Sequence, residues 1–288
     1  MRQVVWAAGA LRDPDEPILT AADHGLTVGD GVFETLEVVD GRAFGLARHL
    51  ERMHRSASRI GLRVDDAAVR DGVSAVLAAA PGLTRLRITV TSGPGPMSSA
   101  RGDGPGVVVV TANDGAPPAE CRAVRSPWRR NERSPLAGVK STSYAENVVM
   151  MEFARERGAD EALMANTAGD LCEGTATNVF VERGREILTP PLEAGCLAGI
   201  TRGLALEWGA DAGLPMREAA PGELPFSVLD EVADGRAFAA VTSSTRRVQP
   251  LVSLDGAELA PGPLLSRLAE AFDERAGADS DPPARRVS

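Results

Sequence analysis

A segment rich in proline, glycine and acidic residues divides this 288-residue chain into two stretches that each contain predicted strands and helices. The segment is NDGAPPAE, residues 113–120, and its composition is typical of a linker, because Pro and Gly interrupt both helices and strands. A chain of this length can form two modest domains. We therefore expect a first domain over 1–115, a second over 121–277, and a polar, proline-bearing tail over 278–288 that is disordered.

The stretch before the linker is expected to form an α+β unit. Strand-forming runs, apolar residues at helical spacing and a Gly/Pro/Ser-rich run indicate its elements. In chain order these are strands over 2–11 and 33–39, helices over 46–62 and 65–80, a strand over 84–92, a loop over 93–106 and a strand over 106–112.

The same patterns continue after the linker, where strands and helices again follow one another. The predicted elements are a helix over about 145–157, a strand over 160–166, a turn over 167–170, a strand over 171–182, a loop and helix over 197–213, a strand–loop–strand over 238–256 and a closing helix over 262–277.

The second stretch contains the one lysine of the sequence, Lys140, although Lys and Arg together number 31. Arginine supplies a fixed positive charge but no neutral amine, because its guanidinium is not deprotonated in proteins. A lysine supplies one when burial or a neighbouring cation lowers its pKa. Lys140 is therefore a candidate Schiff-base lysine, with an ordinary surface lysine as the alternative that composition alone leaves open.

The composition argues against several classes of function. A net charge of −9 argues against nucleic acid as a principal partner. The first residues contain no apolar signal-peptide region and no run is long enough to span a membrane, so we expect a cytoplasmic protein. The cysteines are widely spaced, which fits reduced thiols, and no histidine lies in a ligand pattern with them, so we expect no metal site. The residues concerned are Cys121, Cys172, Cys196, His24, His49 and His54.

Two short motifs are suited to binding a phosphate. In GCLAGITRG, Gly199 precedes Ile200 and Thr201 at a predicted helix start, where free N–H groups and the helix dipole favour an anion. In VTSSTRRVQP, the hydroxyls of Ser243 and Ser244 lie in a predicted turn whose amides can also bind a phosphate. A simple Thr cap and a polar hairpin turn are the respective alternatives.

Two charged residues lie in apolar surroundings. Glu173 lies on the predicted strand LCEGTATNVFV and needs a partner there, either a protonated ring nitrogen or an arginine. Arg52 has apolar neighbours on its predicted helix and can donate two hydrogen bonds to a phosphate, with an exposed helical arginine as the alternative. In combination, a phosphate-binding Arg, a Schiff-base Lys, a Glu and two phosphate-binding turns are what pyridoxal 5′-phosphate requires.

On these motifs the chain resembles the class IV aminotransferases, the fold-type IV pyridoxal-phosphate enzymes. These include branched-chain and D-amino acid aminotransferases, (R)-amine transaminases and 4-amino-4-deoxychorismate lyases. The similarity extends from about residue 18 to 272. It includes GDGVFETL, HLERMHRSA, ADEALMAN, CEGTATNVF, LAGITR and SSTRRVQP.

The resemblance implies a two-domain α+β/α/β fold, with a small N-terminal α+β domain, a larger C-terminal domain and the cofactor at their interface. It also implies a homodimer. Lys140 would bind the cofactor covalently and transfer protons, Glu173 would pair with the pyridine nitrogen, and Leu197 would pack on the ring. The implied phosphate-binding residues are Arg52, Gly199, Ile200, Thr201 and Ser244, with Ser243 beside them.

The role of Tyr144, the one tyrosine, stays open at this point. Branched-chain aminotransferases have a tyrosine five residues after the lysine, near the phenolic oxygen of the cofactor, whereas Tyr144 follows Lys140 by four. A phenol there would tune the pKa of the lysine–cofactor linkage. Local packing at a helix start is the alternative.

The substrate-facing residues differ from known patterns. D-amino acid aminotransferases of the usual type have Tyr where Phe33 stands, and an Arg-x-His pair in the loop after the third strand. Here that loop is SGPGPMSSARG, so we expect Arg101 to bind the substrate carboxylate; a flexible surface arginine is the alternative, and Arg87 lies nearby. Thr35 in GVFET resembles the lyases. Thr177 replaces the second acid of branched-chain enzymes, which argues against that L-specific activity.

We therefore predict a transaminase that transfers the amino group of a D-amino acid or (R)-amine to a 2-keto acid. The close alternative is an aminodeoxychorismate lyase that releases pyruvate and 4-aminobenzoate. A third possibility, a protein that binds the cofactor without turnover, is opposed by the complete set of lysine, glutamate and phosphate-binding residues.

Overall fold

The chain divides into two compact units in the computed structural model, which describes residues 2–79 and 81–283. The first unit comprises Met1–Ala116, Val139–Tyr144 and Ser280–Ser288, and the second comprises Pro117–Gly138 and Ala145–Asp279. The segment that contains Lys140 thus belongs to the first unit although it follows the linker.

The first unit is an antiparallel sheet covered by helices. The strands are ordered β2-β1-β6-β5-β3-β4. Side chains alternate along the strands, and one face packs against α2 and α3 through a core that includes Leu36, Met53, Val73 and Ile88. The elements are β1 (Gln3–Ala7), β2 (Ala10–Arg12), α1 (His24–Thr27), β3 (Gly31–Val39), β4 (Arg42–Ala43), α2 (Leu46–Arg59), α3 (Asp66–Ala79), β5 (Arg85–Thr91) and β6 (Val107–Asn113).

The strand predicted over 2–11 is in fact two strands, because the chain turns between them at Ala8 and Gly9. Both residues have positive φ, 50° and 81°. Gly9 adopts this conformation without the steric cost that Cβ imposes on other residues. The resulting hairpin pairs Ala7 with Ala10.

The second unit is a mixed sheet with helices. The strands are ordered β12-β11-β10-β13-β14-β7-β8-β9, with β15 on β14; β7 runs parallel to both β8 and β14. The elements are β7 (Cys121–Arg130), α4 (Ala145–Arg155), β8 (Glu161–Asn166), β9 (Leu171–Gly174), β10 (Asn178–Arg183), β11 (Glu186–Thr189), a 3₁₀ turn (Leu192–Ala194), α5 (Ile200–Asp211), β12 (Met216–Glu218), α6 (Val228–Ala233), β13 (Ala237–Ser243), β14 (Arg247–Leu254), β15 (Ala257–Glu258) and α7 (Pro263–Ala278).

The strand predicted over 171–182 is interrupted by a buried carboxylate. Glu161 accepts hydrogen bonds from the backbone N–H of Thr175 at 2.7 Å and from the hydroxyl of Thr177 at 2.9 Å. These bonds draw the intervening residues out of the ladder. The chain therefore forms β9 and β10 with a turn between them.

The end of the chain differs from the predicted disordered tail. Ser280 O accepts a hydrogen bond from Gly45 N–H at 2.8 Å, and Asp281 Oδ1 accepts one from Ala47 N–H at 3.0 Å. These contacts cap the start of α2, whose N-cap residue, Gly45, has no side chain to do so. The rest of the predicted tail, 284–288, lies outside the described residues.

The described residues lack two features, a membrane-spanning helix and a metal-binding cluster. Neither a helix long and apolar enough to cross a bilayer nor a cluster of three or more His, Cys, Asp or Glu side chains suited to a metal ion is present in that part of the chain.

Candidate functional site

The main chain around Lys140 is attached to the edge of β3 in the first unit. Phe33 N–H donates to Lys140 O at 3.1 Å and Thr142 N–H donates to Gly31 O at 2.9 Å. Lys140 N–H also donates to the hydroxyl of Ser56 on α2 at 3.2 Å. These bonds fix the lysine on a rigid sheet even though its segment comes after the linker.

A glycine at position 31 permits this attachment. A Cβ there would lie 2.6 Å from Val90 O and 2.9 Å from Thr142 Oγ1, closer than real Cβ contacts. Gly31 therefore lets the lysine segment and β5 approach β3 from opposite sides.

The Lys140 amine lies against two aromatic rings. Its Nζ is 4.4 Å from the centroid of the Phe33 ring and 5.9 Å from that of Tyr144. The two rings meet edge to face, with centroids 5.3 Å apart. Tyr144 thus packs locally just before α4, as one alternative held, and it does so beside the lysine amine. Its contact with a cofactor oxygen stays a prediction.

Three of the four predicted substrate residues share one face of the first sheet. Strand register pairs Phe33 with Thr89 and Thr35 with Arg87. Because side chains alternate along a strand, these residues point away from the core face that contains Val32 and its neighbours. The face opposite the helices therefore combines an aromatic ring, a hydroxyl and a guanidinium.

Arg87 contacts the same ring as the lysine amine. Its guanidinium carbon lies 3.9 Å from the Phe33 centroid, and Nε donates to Thr89 Oγ1 at 3.3 Å. Desolvation by the surrounding protein lowers the pKa of this guanidinium, which nevertheless stays protonated at neutral pH. No carboxylate among the described residues forms an ion pair with Arg87.

Arg101, by contrast, is committed to protein partners. Its Nε and Nη2 each donate to Asp30 at 2.6 Å, and Nη1 donates to Gly61 O at 2.7 Å. The hydrogen bond from Arg101 lowers the pKa of Asp30. These bonds fasten the loop 93–106 to the start of β3, so Arg101 is not the flexible surface arginine of the alternative, and its binding of the substrate carboxylate stays a prediction.

Arg52 is buried on the helix face of the same sheet, not exposed. It donates to both carboxylate oxygens of Glu34, from Nε at 2.9 Å and from Nη2 at 2.6 Å. His49 Nδ1 lies 2.7 Å from the same carboxylate. Complete burial opposes ionisation of Glu34, but Arg52 and His49 outweigh it and hold the Glu34 pKa at about 2.

The motif reasoning did not single out Glu34. Its signal was present in the alternation of β3, which places an acid at an inward position between Val32 and Leu36. A buried carboxylate of this kind needs a cation, and Arg52 provides it. The pairing orients the guanidinium; the phosphate-binding role of Arg52 stays a prediction.

In the second unit, α5 presents an uncapped N-terminus. The helix begins at Ile200, and its N-cap residue, Gly199, makes no side-chain capping bond. The alternative in which Thr201 caps the helix is wrong, because Thr201 already lies in the first turn. The backbone N–H groups there are donors for an anion, and the helix dipole favours negative charge.

Gly199 is required by a close neighbour. A Cβ at this position would lie 2.0 Å from Asn178 Oδ1, while Asn178 Nδ2 donates to Leu197 O at 2.8 Å. Asn178 is paired in register with Thr242 on β13. The start of α5 and the end of β13 therefore lie together, which brings the two predicted phosphate-binding turns to one place in the second unit.

The end of β13 contains one hydroxyl with a structural role, Ser243, and one buried hydroxyl without a hydrogen-bond partner among the described residues, Thr242. Ser243 Oγ accepts from Arg246 N–H at 3.2 Å, as the hairpin alternative held, and Ser244 follows in the turn. Thr242 Oγ1 is buried and has no hydrogen-bond partner among the described residues. That hydroxyl is a further hydrogen-bond donor for an anion bound here.

Glu173 is buried on β9, where Leu197 and Arg130 contact its carboxylate. Its Oε2 accepts from Leu197 N–H at 2.9 Å, and its Oε1 lies 3.5 Å from Arg130 Nη2. Arg130 is a residue that the sequence reasoning missed, although an arginine partner for Glu173 was one of its alternatives. The carboxylate accepts hydrogen bonds and is ready to accept another from a ring N–H.

A family model for amino-transferase class IV matches residues 31–254. The chain belongs to the class IV aminotransferase family. D-alanine aminotransferase of Bacillus licheniformis is 30% identical over 277 residues, covering 92% of this chain and 94% of that protein. The bifunctional aminodeoxychorismate lyase/D-amino acid transaminase of Mycobacterium tuberculosis is 28% identical, covering 94% of this chain and 97% of that protein.

A solved structure of a hypothetical Mycobacterium tuberculosis aminotransferase in its PLP-bound form has a TM-score of 0.82 and 26% identity. The match covers 97% of this chain and all of that chain, 100%. Other class IV relatives are named branched-chain aminotransferases and an aminodeoxychorismate lyase. The predicted family and the two-domain fold of fold-type IV are thereby confirmed.

Class IV enzymes use pyridoxal 5′-phosphate, so the protein is a pyridoxal-phosphate-dependent enzyme, as predicted. The residues present fit that group. The first unit offers one lysine amine on a rigid strand edge, and the second offers an uncapped helix start, a buried hydroxyl without a partner and a carboxylate held by a cation.

Proposed function

We propose that the protein is a transaminase that transfers the amino group of a D-amino acid to a 2-keto acid. The observation that carries this proposal is the guanidinium of Arg87, which has no acidic partner among the described residues and contacts the same Phe33 ring as Lys140 Nζ. A guanidinium binds a carboxylate in a charge-assisted, often bidentate way. This favours an amino acid over an (R)-amine, which lacks the carboxylate.

The preference for the D-series is supported by the relatives. The Bacillus licheniformis protein is named a D-alanine aminotransferase, and the Mycobacterium tuberculosis protein is named in part a D-amino acid transaminase. Thr177, where branched-chain enzymes have an acid, points in the same direction. Its hydroxyl is bound to Glu161 inside the second unit.

Each residue then has a role in the reaction. Bound pyridoxal phosphate supplies an electron sink for the carbanion formed at the α-carbon of the donor. Lys140 Nζ would hold the cofactor at rest and, once the donor amine has displaced it, would take the α-proton; Arg87 would hold the carboxylate so that the α-carbon is presented to that amine. Glu173 would accept a hydrogen bond from the ring N–H, Leu197 would pack on the ring, and the phenol of Tyr144 would serve the phenolic oxygen of the cofactor. Gly199, Ile200, Thr201, Ser243 and Ser244 would hold the phosphate. A phosphate-binding role for Arg52 rests on the family resemblance alone, because in this structure its guanidinium donates to Glu34.

A second candidate is aminodeoxychorismate lyase activity, with release of pyruvate and 4-aminobenzoate. Thr35, which resembles the lyases, lies beside Arg87 in strand register. The Mycobacterium tuberculosis relative is named for both activities. Proton removal by Lys140 is common to the two reactions, so one set of residues can serve both. The family resemblance also leads us to propose a homodimer, which light scattering of the purified protein would test.

Half-reaction spectroscopy distinguishes the candidates. We expect D-alanine, without any keto acid, to convert the absorbance of the pyridoxal form to that of the pyridoxamine form. L-alanine and (R)-1-phenylethylamine should do so far more slowly. If no D-amino acid has this effect while aminodeoxychorismate yields pyruvate without an acceptor, the transaminase proposal fails and the lyase stands.

A further inference from the structure

We propose that Arg130 is a positioning residue for Glu173, which it holds as an ionised acceptor so that a proton shared with the cofactor ring stays on the ring nitrogen. The inference rests on the proposed role of Glu173. It concerns the last residue of β7 and a carboxylate on β9, both within the second unit. None of the sequence motifs that led to the family includes Arg130.

The Glu173 carboxylate contacts a hydrogen-bond donor and a cation. One oxygen accepts a backbone N–H from Leu197 at 2.9 Å, and the other faces the Arg130 guanidinium at 3.5 Å. Only 18% of the Arg130 side chain and 11% of the Glu173 side chain are exposed, so water screens the pair weakly. Both contacts favour the charged form of the acid.

The remaining contacts of Arg130 do not explain its burial. Nη1 lies 3.7 Å from Glu146, whose side chain is 80% exposed, and an exposed pair of this kind contributes little. Nε is buried and has no hydrogen-bond partner among the described residues. Glu173 is thus the buried countercharge that makes an arginine acceptable here.

The two cysteine thiols near Glu173 do not supply a charge. Burial raises the pKa of Cys196 to about 12 and raises that of Cys172 as well, so both thiols stay neutral. Arg130 therefore supplies a buried positive charge beside Glu173 that these thiols do not balance.

A cation that contacts a carboxylate lowers the proton affinity of the carboxylate. It lowers the proton affinity of a group bound to that carboxylate less, because the interaction weakens with distance. With Arg130 present, the shared proton is therefore biased toward the ring nitrogen. Without it, desolvation favours the neutral acid, and the proton moves onto Glu173 Oε. The ring nitrogen then becomes an unprotonated acceptor and a poorer electron sink.

The test uses cofactor labelled with ¹⁵N in the ring and bound to the full-length protein. We expect the ¹⁵N chemical shift of a protonated pyridine in the wild type, and a shift displaced toward neutral pyridine in Arg130→Met. Arg130→Lys, which restores a cation, should return the signal toward the wild-type value. An Arg130→Met protein that folds and keeps the wild-type shift would overturn the inference.

Arg129 provides the matched control. It lies one residue earlier on β7, and its Nη1 reaches Asn166 O at 3.4 Å, not Glu173. Arg129→Met removes the same charge from the same strand and should leave the ¹⁵N shift unchanged. If both methionine variants displace the signal equally, overall charge is the cause and the inference is wrong.

A second readout needs no turnover and no labelled nitrogen. The apoprotein is titrated with pyridoxal phosphate and with its analogue in which carbon replaces the ring nitrogen. We expect the preference for the natural cofactor to fall about tenfold in Arg130→Met, the equivalent of one pKa unit. An equal loss of affinity for both compounds would mean that Arg130 is only structural. A wild type without any preference would instead refute the proposed role of Glu173.

Discussion

The two units of the molecule offer different kinds of groups. The first presents charged and aromatic side chains on a twisted antiparallel sheet, with Lys140, Arg87 and Phe33 toward one face and the Glu34–Arg52 pair toward the other. The second presents mainly backbone donors at an uncapped helix start, together with one buried acid. The first unit therefore supplies an amine and charged side chains, and the second supplies backbone donors and an acid.

Two arginines within the first unit also differ from each other. Arg87 and Arg101 both follow from the sequence as candidates for the substrate carboxylate. One lies on a sheet face against an aromatic ring, and the other is closed off by Asp30 and a carbonyl. The two arginines look equivalent in the sequence. They differ in whether their N–H donors are available, and that depends on partners distant in the sequence.

The largest expected effect comes from exchanging the lysine for the basic residue used elsewhere in the chain. Lys140→Arg keeps the charge but cannot supply a neutral amine, so we expect turnover of D-alanine with a keto acid to fall by at least about 10⁴-fold. Coupled assay of the keto-acid product measures this. Because the change leaves the second unit intact, the variant should still bind the cofactor non-covalently; a variant with near-normal turnover would remove Lys140 from the mechanism.

The second effect concerns the Glu34–Arg52 ion pair, which is buried in the first unit. The Glu34 pKa is about 2 in the folded protein against an ordinary value of 4.5, so the pair stabilises the protein above pH 4.5 and the stabilisation is lost as pH falls toward 2. The stabilisation lost over this pH range is about 3 kcal/mol in the free energy of unfolding. Burial also lowers the pKa of His49. This residue therefore also reduces the stability of the folded protein as pH falls below its ordinary value of 6.5.

Urea unfolding at pH 6 and pH 3.5 measures this effect. Glu34→Gln should lower stability at pH 6 and reduce the difference between the two pH values. Glu146→Gln, which changes an exposed acid on α4, is the control and should behave as the wild type does. Equal pH dependence in all three proteins would contradict the assigned pairing.

The smallest effect separates the two arginines. Arg87→Met should raise the KM for D-alanine by about 10- to 100-fold, which is the loss of a charged hydrogen-bonding partner. Arg101→Met removes the same charge but should change KM by no more than about threefold, since its donors serve Asp30 and Gly61. A larger rise in the Arg101 variant would reverse the comparison and restore the interpretation that the sequence favours.

Local patterns were enough to predict several parts of the structure. The start of α5 at Ile200 follows from Gly-Ile-Thr before an apolar helical run, and the hairpin around Ser244 follows from the polar turn between two strands. Strand alternation also places Phe33, Thr35 and Arg87 on one face once the register is known. These features depend on neighbours in the chain, which periodicity and turn composition report.

Other features depend on residues distant in sequence and had no local signal. The segment around Lys140 pairs with β3 and so belongs to the first unit, across the predicted linker. Arg101 pairs with Asp30, and Arg130 pairs with Glu173. Ser280 caps the start of α2, from which it is also distant in sequence. An arginine in a sequence shows its charge but not its partner, which is why the ion pair of Arg101 with Asp30 could not be predicted.

The most direct test of the whole account is the position of the covalent bond to the cofactor. Borohydride reduction of the purified holoprotein, followed by peptide mapping, should place the pyridoxyl label on Lys140 alone, and Lys140→Arg should carry none. The chain has one lysine, so the amino terminus is the other primary amine available for labelling. A label found there in the wild type, or no label under cofactor saturation, would contradict the claim that Lys140 is the catalytic amine.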